Sequence, residues 1–313
     1  MTALAYAGSL SSGYIYEDWT EPRLQPWSVS QVFADTIATP QRSLDRWVTR
    51  LTQRSAAADA TLARSISLAL HLLNGWLLWI LARPVLSAVG AGSAAALFLL
   101  HPAQTEAVAY VASRPDVLTG GWVLLALLAS RYSAWLALAC AALAVTGKEM
   151  GVMALALVPL WAVWTGQRWT RAQMAAWACV AVVMGALLVR GLAVSSATWE
   201  VWSPWYVAGQ LAALLRLVAL WPEALWNVSA LTIDHDWTWI TKPVALGAVV
   251  LWTAAVYRRG WLRFAALFVL TASLPRVIAP LLDGQHERHL YVGSISICLA
   301  VGAVLLPRKD HAA

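Results

Sequence analysis

Two apolar runs joined by a single arginine decide the fold; they occupy residues 117–147, VLTGGWVLLALLASRYSAWLALACAALAVTG. Arg131 is the only charged residue in this stretch. A straight membrane-spanning helix needs about 20 apolar residues, and each run is shorter than that. We therefore predict a tight helical hairpin that turns at Arg131, with interfacial residues completing the length of each helix.

The same pattern recurs along the chain. Apolar runs bounded by charged residues or proline lie at about 65–83, 84–100, 117–130, 132–147, 150–166, 172–194, 243–257, 260–275 and 290–306. Hydrophobic residues make up 60% of the chain and charged residues 12%, whereas soluble domains carry roughly 25% charged residues. We predict an all-α polytopic membrane protein with about nine transmembrane helices. This composition excludes a soluble enzyme, a disordered regulator and a nucleic-acid-binding module.

The charges of the loops indicate the orientation. If every run crosses, one set of loops holds arginines and lysines with Asp310 as its sole acidic residue. The other set holds the remaining fifteen of the sixteen acidic residues; it comprises 14–64, 101–116, 146–149, 195–242 and 276–289. The positive-inside rule places the first set in the cytoplasm. We expect a multi-pass protein of the cell (inner) membrane whose acidic loops, and therefore any active site, face the extracytoplasmic side.

The chain divides into four regions on this basis. Residues 1–13 are apolar but too short to span, and we interpret them as the remnant of a first transmembrane helix; either the helix is truncated or the start of the chain is misassigned. The first extracytoplasmic loop is 14–64, the multi-span domain is 65–306, and the cytoplasmic tail is 307–313. Within the multi-span domain we place the tryptophan-rich outer loop 195–242 at the membrane interface.

The first outer loop contains a basic amphipathic helix. After Thr39-Pro40, apolar residues fall at 44, 47, 48 and 51, and arginines recur at 42, 46, 50 and 54. A proline fits the first position of a helix, and such a helix lies in the interface. We predict an anchor to anionic headgroups; the alternative is that one arginine holds a lipid phosphate.

Candidate chemical groups lie on the outer loops. Glu17 and Asp18 are adjacent carboxylates, suited to a general base or to binding a metal or sugar hydroxyl, with a solvated turn as the alternative. Arg288 is a phosphate candidate, because its guanidinium fork fits phosphate oxygens. His286 and His289 are three residues apart with a single carboxylate between them. This pattern is weak evidence for a metal site, and we predict none. Residues 101–116 add a histidine, two carboxylates and an arginine, which we expect to lie at one depth in the membrane. The alternative is that each of these residues only caps a helix or marks the end of a span.

Several segments in order resemble one family. They are YIYEDW (14–19), HLLNGWLLW (71–79), HPAQTEAVAYVASRPDVL (101–118), GKEMGVMALALVPLW (147–161), LLRLVALWP (214–222) and ERHLYVGSISICLAVG (287–302). Together they resemble polytopic glycosyltransferases of the C-type fold, which include the transmembrane and tetratricopeptide-repeat O-mannosyltransferases and their bacterial relatives. The chain departs from that family in its Glu-Asp pair, where the family has Asp-Asp. No tetratricopeptide repeat follows the membrane region.

This resemblance implies an inverting glycosyltransferase. It would move a mannose-like sugar from a polyprenyl-phosphate donor to a hydroxyl of a protein or glycan acceptor outside the cytoplasm. The resemblance assigns the base to Asp18 or Glu17 and the donor phosphate to Arg114, Lys148 and Arg288. The residues that the resemblance implies would orient the sugar or the acceptor are His101, Glu106, Asp116, Glu149 and Glu287. The resemblance points to no particular cofactor, and a divalent metal is left open.

Two other functions stay open. One is a polytopic transporter or a flippase of lipid-linked sugars, and the other is a noncatalytic membrane scaffold of the same fold. Transporters usually carry ionisable groups deep in their spans, and the apolar runs here contain no mid-membrane Asp or Glu. A scaffold would tolerate loss of Asp18 and Arg114.

Overall fold

The computed structural model describes Tyr6 and residues 28–38, 43–44, 46–48, 60–194, 203–225, 240–278 and 287–305. It is 87% helical and contains no strand among these residues. The predicted all-α class is confirmed for this part of the chain.

Twelve α-helices are described. In chain order they are α1 Val29–Ala38, α2 Ala60–Ala82, α3 Ala88–Leu100, α4 Thr105–Ala109, α5 Arg114–Ala129, α6 Ala134–Gly147, α7 Ala154–Trp164, α8 Arg171–Val194, α9 Pro204–Glu223, α10 Lys242–Tyr257, α11 Trp261–Ile278 and α12 Tyr291–Leu305. Short 3-10 helices are Pro102–Gln104, Val111–Ser113, Glu149–Met153 and Glu287–Leu290.

The predicted hairpin consists of α5 and α6. The turn between them contains Arg131, and Ser133 caps α6 by accepting a hydrogen bond from the backbone N–H of Leu136. The face of α6 that is fully buried carries only alanine, at 137, 141 and 144. Small side chains at this spacing let two apolar helices approach closely, which explains why this pair packs tightly despite its short runs.

Three helical stretches are long and apolar enough to cross a membrane: Thr61–Ala82, Val111–Ala129 and Arg288–Leu305. Five shorter apolar helices accompany them: Ala88–Leu100, Ala134–Gly147, Met150–Trp164, Arg171–Ala186 and Lys242–Tyr257. These helices are compatible with a membrane protein. The count of nine spans stays a prediction.

The amphipathic region before α2 is described only in part. Residues 43–44 and 46–48 are helical, as predicted for the segment after Pro40. Trp47 donates from its indole nitrogen to the Thr36 hydroxyl over 3.0 Å, and its ring packs edge-on against Phe33 of α1. Tyr6, which lies in the predicted remnant helix, is buried against His71.

Helix α9 packs against α10 and α11. Its Leu214, Leu217 and Leu220 are buried in an apolar cluster with Trp252 and Val269. Trp252 also donates to the Leu211 carbonyl over 3.0 Å. The interfacial placement of this region stays a prediction, and residues 195–202 and 226–239 of the same loop lie outside the described residues.

A buried polar cluster joins α2, α3, α5 and α12. His71 Nε2 lies 3.3 Å from the carbonyl of Leu99; because a carbonyl only accepts, Nε2 carries the proton. His71 Nδ1 then accepts from the Tyr291 hydroxyl over 2.8 Å. That hydroxyl in turn accepts from Asn74 Nδ2 over 3.0 Å, and Nδ2 also reaches the Val117 carbonyl over 2.8 Å. The cluster fixes the first residue of α12, and therefore the turn that precedes it.

Candidate anion-binding site

One end of the bundle contains a crevice. It is a small crevice that is partly open to the surface. Its polar wall is formed by Asp116, Thr119, Ser273, Arg276, Arg288 and His289. Its apolar wall includes Val123, Met150, Met153 and Val292. A surface of this kind can hold a charged group beside an aliphatic one.

The order of these residues along the helices orients the crevice. Asp116 lies in the first turn of α5, Thr119 one turn further along, and Val123 one turn beyond that. On α11, Arg276 lies in the last turn and Ser273 one turn earlier. The crevice therefore carries charge at the helix ends and hydroxyls one turn deeper, and on α5 it continues into aliphatic surface.

Asp116, which lines the crevice, forms a buried ion pair with Lys148, which does not line it. Lys148 Nζ lies 2.7 Å from Asp116 Oδ1 and 2.8 Å from Oδ2, and both side chains are about nine-tenths buried. Lys148 stands in extended backbone between α6 and the Glu149–Met153 helix. The first turn of a helix also favours the negative charge of Asp116. Lys148, predicted to bind the donor phosphate, is therefore paired with Asp116, which was predicted to orient the sugar or the acceptor.

Glu106 holds Arg288 in the same region. Glu106 Oε2 accepts from the backbone N–H of Arg288 over 3.0 Å, and Oε1 lies 3.6 Å from Arg288 Nε. The guanidinium also donates to the Ser113 hydroxyl over 3.4 Å and stacks over the Tyr110 ring at 5.6 Å. Three residues of the segment 106–113 thus hold a cation that lies 182 positions after Glu106.

Arg114 lies elsewhere. Its side chain is 1% exposed and is absent from the lining of the crevice. It donates from Nε to the Ser67 hydroxyl over 3.3 Å and from Nη2 to the Ala63 carbonyl over 3.2 Å. Arg114 therefore ties the start of α5 to α2, which is a structural contact.

His101 is also outside the crevice lining. Its Nδ1 accepts from the backbone N–H of Ala103 over 3.1 Å, which caps the Pro102–Gln104 helix. Its ring stacks on Trp221 with centroids 3.6 Å apart and planes 4° from parallel. Burial lowers the pKa of the His101 imidazole to about 4, so the ring is neutral near pH 7.

The remaining predicted residues are only partly described. Glu149 and Glu287 each begin a 3-10 helix next to the crevice segments. Glu17 and Asp18, the predicted bases, lie outside the described residues. Within the described ranges no group of three His, Cys, Asp or Glu side chains could hold a metal ion.

Four polar residues of the crevice were missed as site residues. Arg276 follows Pro275 at the end of α11, and His289 had been weighed only as a metal ligand. Thr119 and Ser273 lie inside apolar runs, where a hydroxyl commonly bonds to its own helix backbone and signals nothing. The one available signal was the position of Arg276 at the end of a run that faces the acidic loops.

Comparisons of the chain with family models, with curated proteins and with solved structures each gave no match. The likeness to C-type-fold glycosyltransferases therefore rests on the quoted motifs and stays a prediction.

Proposed function

We propose that this chain is a membrane glycosyltransferase. It transfers a sugar from a polyprenyl-phosphate donor to an acceptor hydroxyl on the extracytoplasmic side. One observation carries the proposal: the three segments with the most motif residues meet at one crevice. Asp116 comes from the first segment, Met150 and Met153 from the second, and Arg288 from the third, although Arg288 lies 172 positions after Asp116.

The crevice suits the two ends of such a donor. Arg276 and Arg288 offer positive charge to a phosphate, and a guanidinium fork matches phosphate oxygens in geometry. Val123, Met150 and Met153 offer apolar contact to the first isoprenoid units. Asp116, Lys148 and Glu106 hold the wall and orient sugar hydroxyls, while Arg114 and His101 support that wall through their contacts with α2 and α9.

The reaction is a displacement at the anomeric carbon. The acceptor oxygen forms a bond to that carbon while the carbon–oxygen bond to the lipid phosphate breaks, which inverts the configuration. Asp18 takes the acceptor proton, with Glu17 beside it, and the lipid phosphate leaves with the bonding electrons. A positioned base contributes about 10²–10⁴-fold. Arg288 and Arg276 stabilise the leaving phosphate, an electrostatic contribution of a few kcal/mol at a water-excluded site.

The test uses the full chain reconstituted in lipid nanodiscs with a labelled polyprenyl-phosphate hexose and candidate acceptors. Asp18→Asn should abolish transfer while donor binding is retained, because asparagine keeps the shape and removes the base. Arg288→Ala should lower both donor binding and rate, by about 1.5–3 kcal/mol if its contact is a charged hydrogen bond. Glu17→Gln is the matched control.

Each other result has a defined meaning. Loss of activity in Glu17→Gln with activity spared in Asp18→Asn would exchange the roles of the two carboxylates. Wild-type rates in both variants would refute the carboxylate-base mechanism. A wild-type chain that binds but never transfers lipid-linked sugars would favour the scaffold, and one that moves them across the bilayer would favour the flippase.

A further inference from the structure

Two hydroxyls of crevice residues have no hydrogen-bond partner in the part of the chain that the structure describes. Thr119 Oγ1 and Ser273 Oγ are buried, and neither makes a hydrogen bond among the described residues. The two side chains are 3% and 4% exposed, and both residues line the crevice. A buried hydroxyl without a partner destabilises the protein, so such groups are rare unless a ligand satisfies them.

Both hydroxyls lie in helices that could have satisfied them. A serine or threonine inside a helix commonly donates to the carbonyl four residues earlier. Thr253 does so to Val249 over 2.7 Å, and Ser65 does so to Thr61 over 2.8 Å. Thr119 and Ser273 do not make this bond. Both hydroxyls are therefore unsatisfied within the described part of the chain, and they belong to residues of one crevice wall on two different helices.

Their position selects the ligand. Each hydroxyl lies one helical turn from a charged residue of the same wall: Thr119 from Asp116, and Ser273 from Arg276. Arg288 stands in the same wall. A phosphate has several acceptor oxygens and a negative charge, so it can accept from two hydroxyls and lie near two guanidinium groups at once.

We propose that Thr119 and Ser273 donate hydrogen bonds to a phosphate group bound in the crevice beside Arg276 and Arg288. This inference rests on the proposed function for the lipid that carries the phosphate, but not on sugar transfer. It assigns the deep half of the phosphate site to two uncharged residues that lie within predicted spans. The anion source is either a lipid phosphate or free phosphate.

The experiment measures binding to the nanodisc-embedded full chain, apart from any transfer assay. The probes are farnesyl phosphate, farnesol and inorganic phosphate. The variants Thr119→Val and Ser273→Ala remove one hydroxyl each with little change of volume. Thr253→Val and Ser130→Ala are the matched controls, because their hydroxyls are satisfied by Val249 and Leu127 carbonyls away from the crevice.

Each site variant should weaken farnesyl phosphate binding about tenfold or more, as expected for a hydrogen bond to a charged group. Farnesol binding should not change, and the controls should bind as wild type. Thr119→Ser should restore most of the affinity. Competition by inorganic phosphate would identify free phosphate as a ligand, and its absence would identify the lipid phosphate; both support the site.

A second measurement separates binding from packing. In the ligand-free protein, Thr119→Val and Ser273→Ala should unfold at the wild-type temperature or above, because each removes an unsatisfied buried group. The inference would be overturned if the variants unfolded at a lower temperature than the wild type and lost as much affinity for farnesol as for farnesyl phosphate. So would wild-type affinity for farnesyl phosphate in both variants, or no farnesyl phosphate binding by the wild type. Phosphate binding without sugar transfer would overturn the proposed function alone.

Discussion

Lys148 Nζ contacts both carboxylate oxygens of Asp116, at 2.7 and 2.8 Å, across 32 residues of sequence. The pair joins the end of the α5–α6 hairpin to its beginning, so it closes the hairpin at the end opposite the Arg131 turn. A cation proposed for a phosphate is thus already engaged with a carboxylate. Lys148 does not line the crevice and its charge is balanced by Asp116, so Arg276 and Arg288 provide the attraction in the proposed phosphate site.

Breaking this pair should destabilise the protein. Asp116→Asn leaves the buried Lys148 ammonium without its carboxylate, and such a loss costs about 3–5 kcal/mol. This loss is measured as the difference in the free energy of unfolding between variant and wild type, obtained by chemical denaturation in detergent. Arg216→Ala is the control, because the pair of Arg216 with Glu223 is long at 3.7 Å and Arg216 is 46% exposed, so its loss should cost less than about 1 kcal/mol.

The double variant Asp116→Leu with Lys148→Met sharpens this prediction. Replacing both charges with apolar groups removes the uncompensated ion, so most of the stability should return. If Asp116→Asn unfolds like the wild type, the ion pair contributes nothing to the closure of the hairpin.

Tyr291→Phe should also destabilise the protein. It removes the hydroxyl that donates to His71 and accepts from Asn74, and so leaves two buried polar groups with one partner fewer each. The expected loss is about 1–3 kcal/mol, measured by thermal unfolding. Tyr257→Phe is the matched control, because Tyr257 is 84% exposed. Equal unfolding temperatures for the two variants would show that the buried network is energetically neutral.

Stability should depend on pH through His101. In the unfolded chain a histidine takes up a proton near pH 6.5, whereas in the folded protein burial holds the pKa of His101 at about 4. Between these values the unfolded state binds more protons, so the His101 contribution to stability is complete above pH 6.5. It is lost progressively as the pH falls towards 4.

The substitution His101→Asn tests this dependence. Asparagine can still accept the N–H of Ala103 as a cap but does not titrate. The difference in unfolding free energy between wild type and variant should be constant above pH 6.5 and shrink below it. A constant difference from pH 7 to 4.5 would contradict the role of His101.

The orientation is tested by labelling. On a background with Cys140, Cys179 and Cys298 replaced, a cysteine at position 200 should react with an impermeant reagent in intact cells. A cysteine at position 258 should react only after the membrane is opened, because the arginine-rich loops are predicted to lie in the cytoplasm. The reverse labelling pattern would invert the orientation and place the crevice on the cytoplasmic side.

The sequence by itself determined the class of the protein and the local structure of its central hairpin. Hydropathy and charge act on neighbours along the chain, so the apolar runs on either side of Arg131 are sufficient to predict two helices and a turn. The same local pattern indicated that Asp116, Lys148 and Arg288 belong to one end of the bundle, where the structure has them.

Only the tertiary structure decided what these residues contact. The direction of a side chain depends on the rotation of its helix against neighbours far away in sequence. That rotation turns Arg114 towards α2 and Asp116, two residues later, towards Lys148. It likewise leaves the hydroxyls of Thr119 and Ser273, two residues that line the crevice, without a partner among the described residues, although each lies in a run that looks uniformly apolar. Local hydropathy contains no information about such pairings, because their energies arise from contacts between helices.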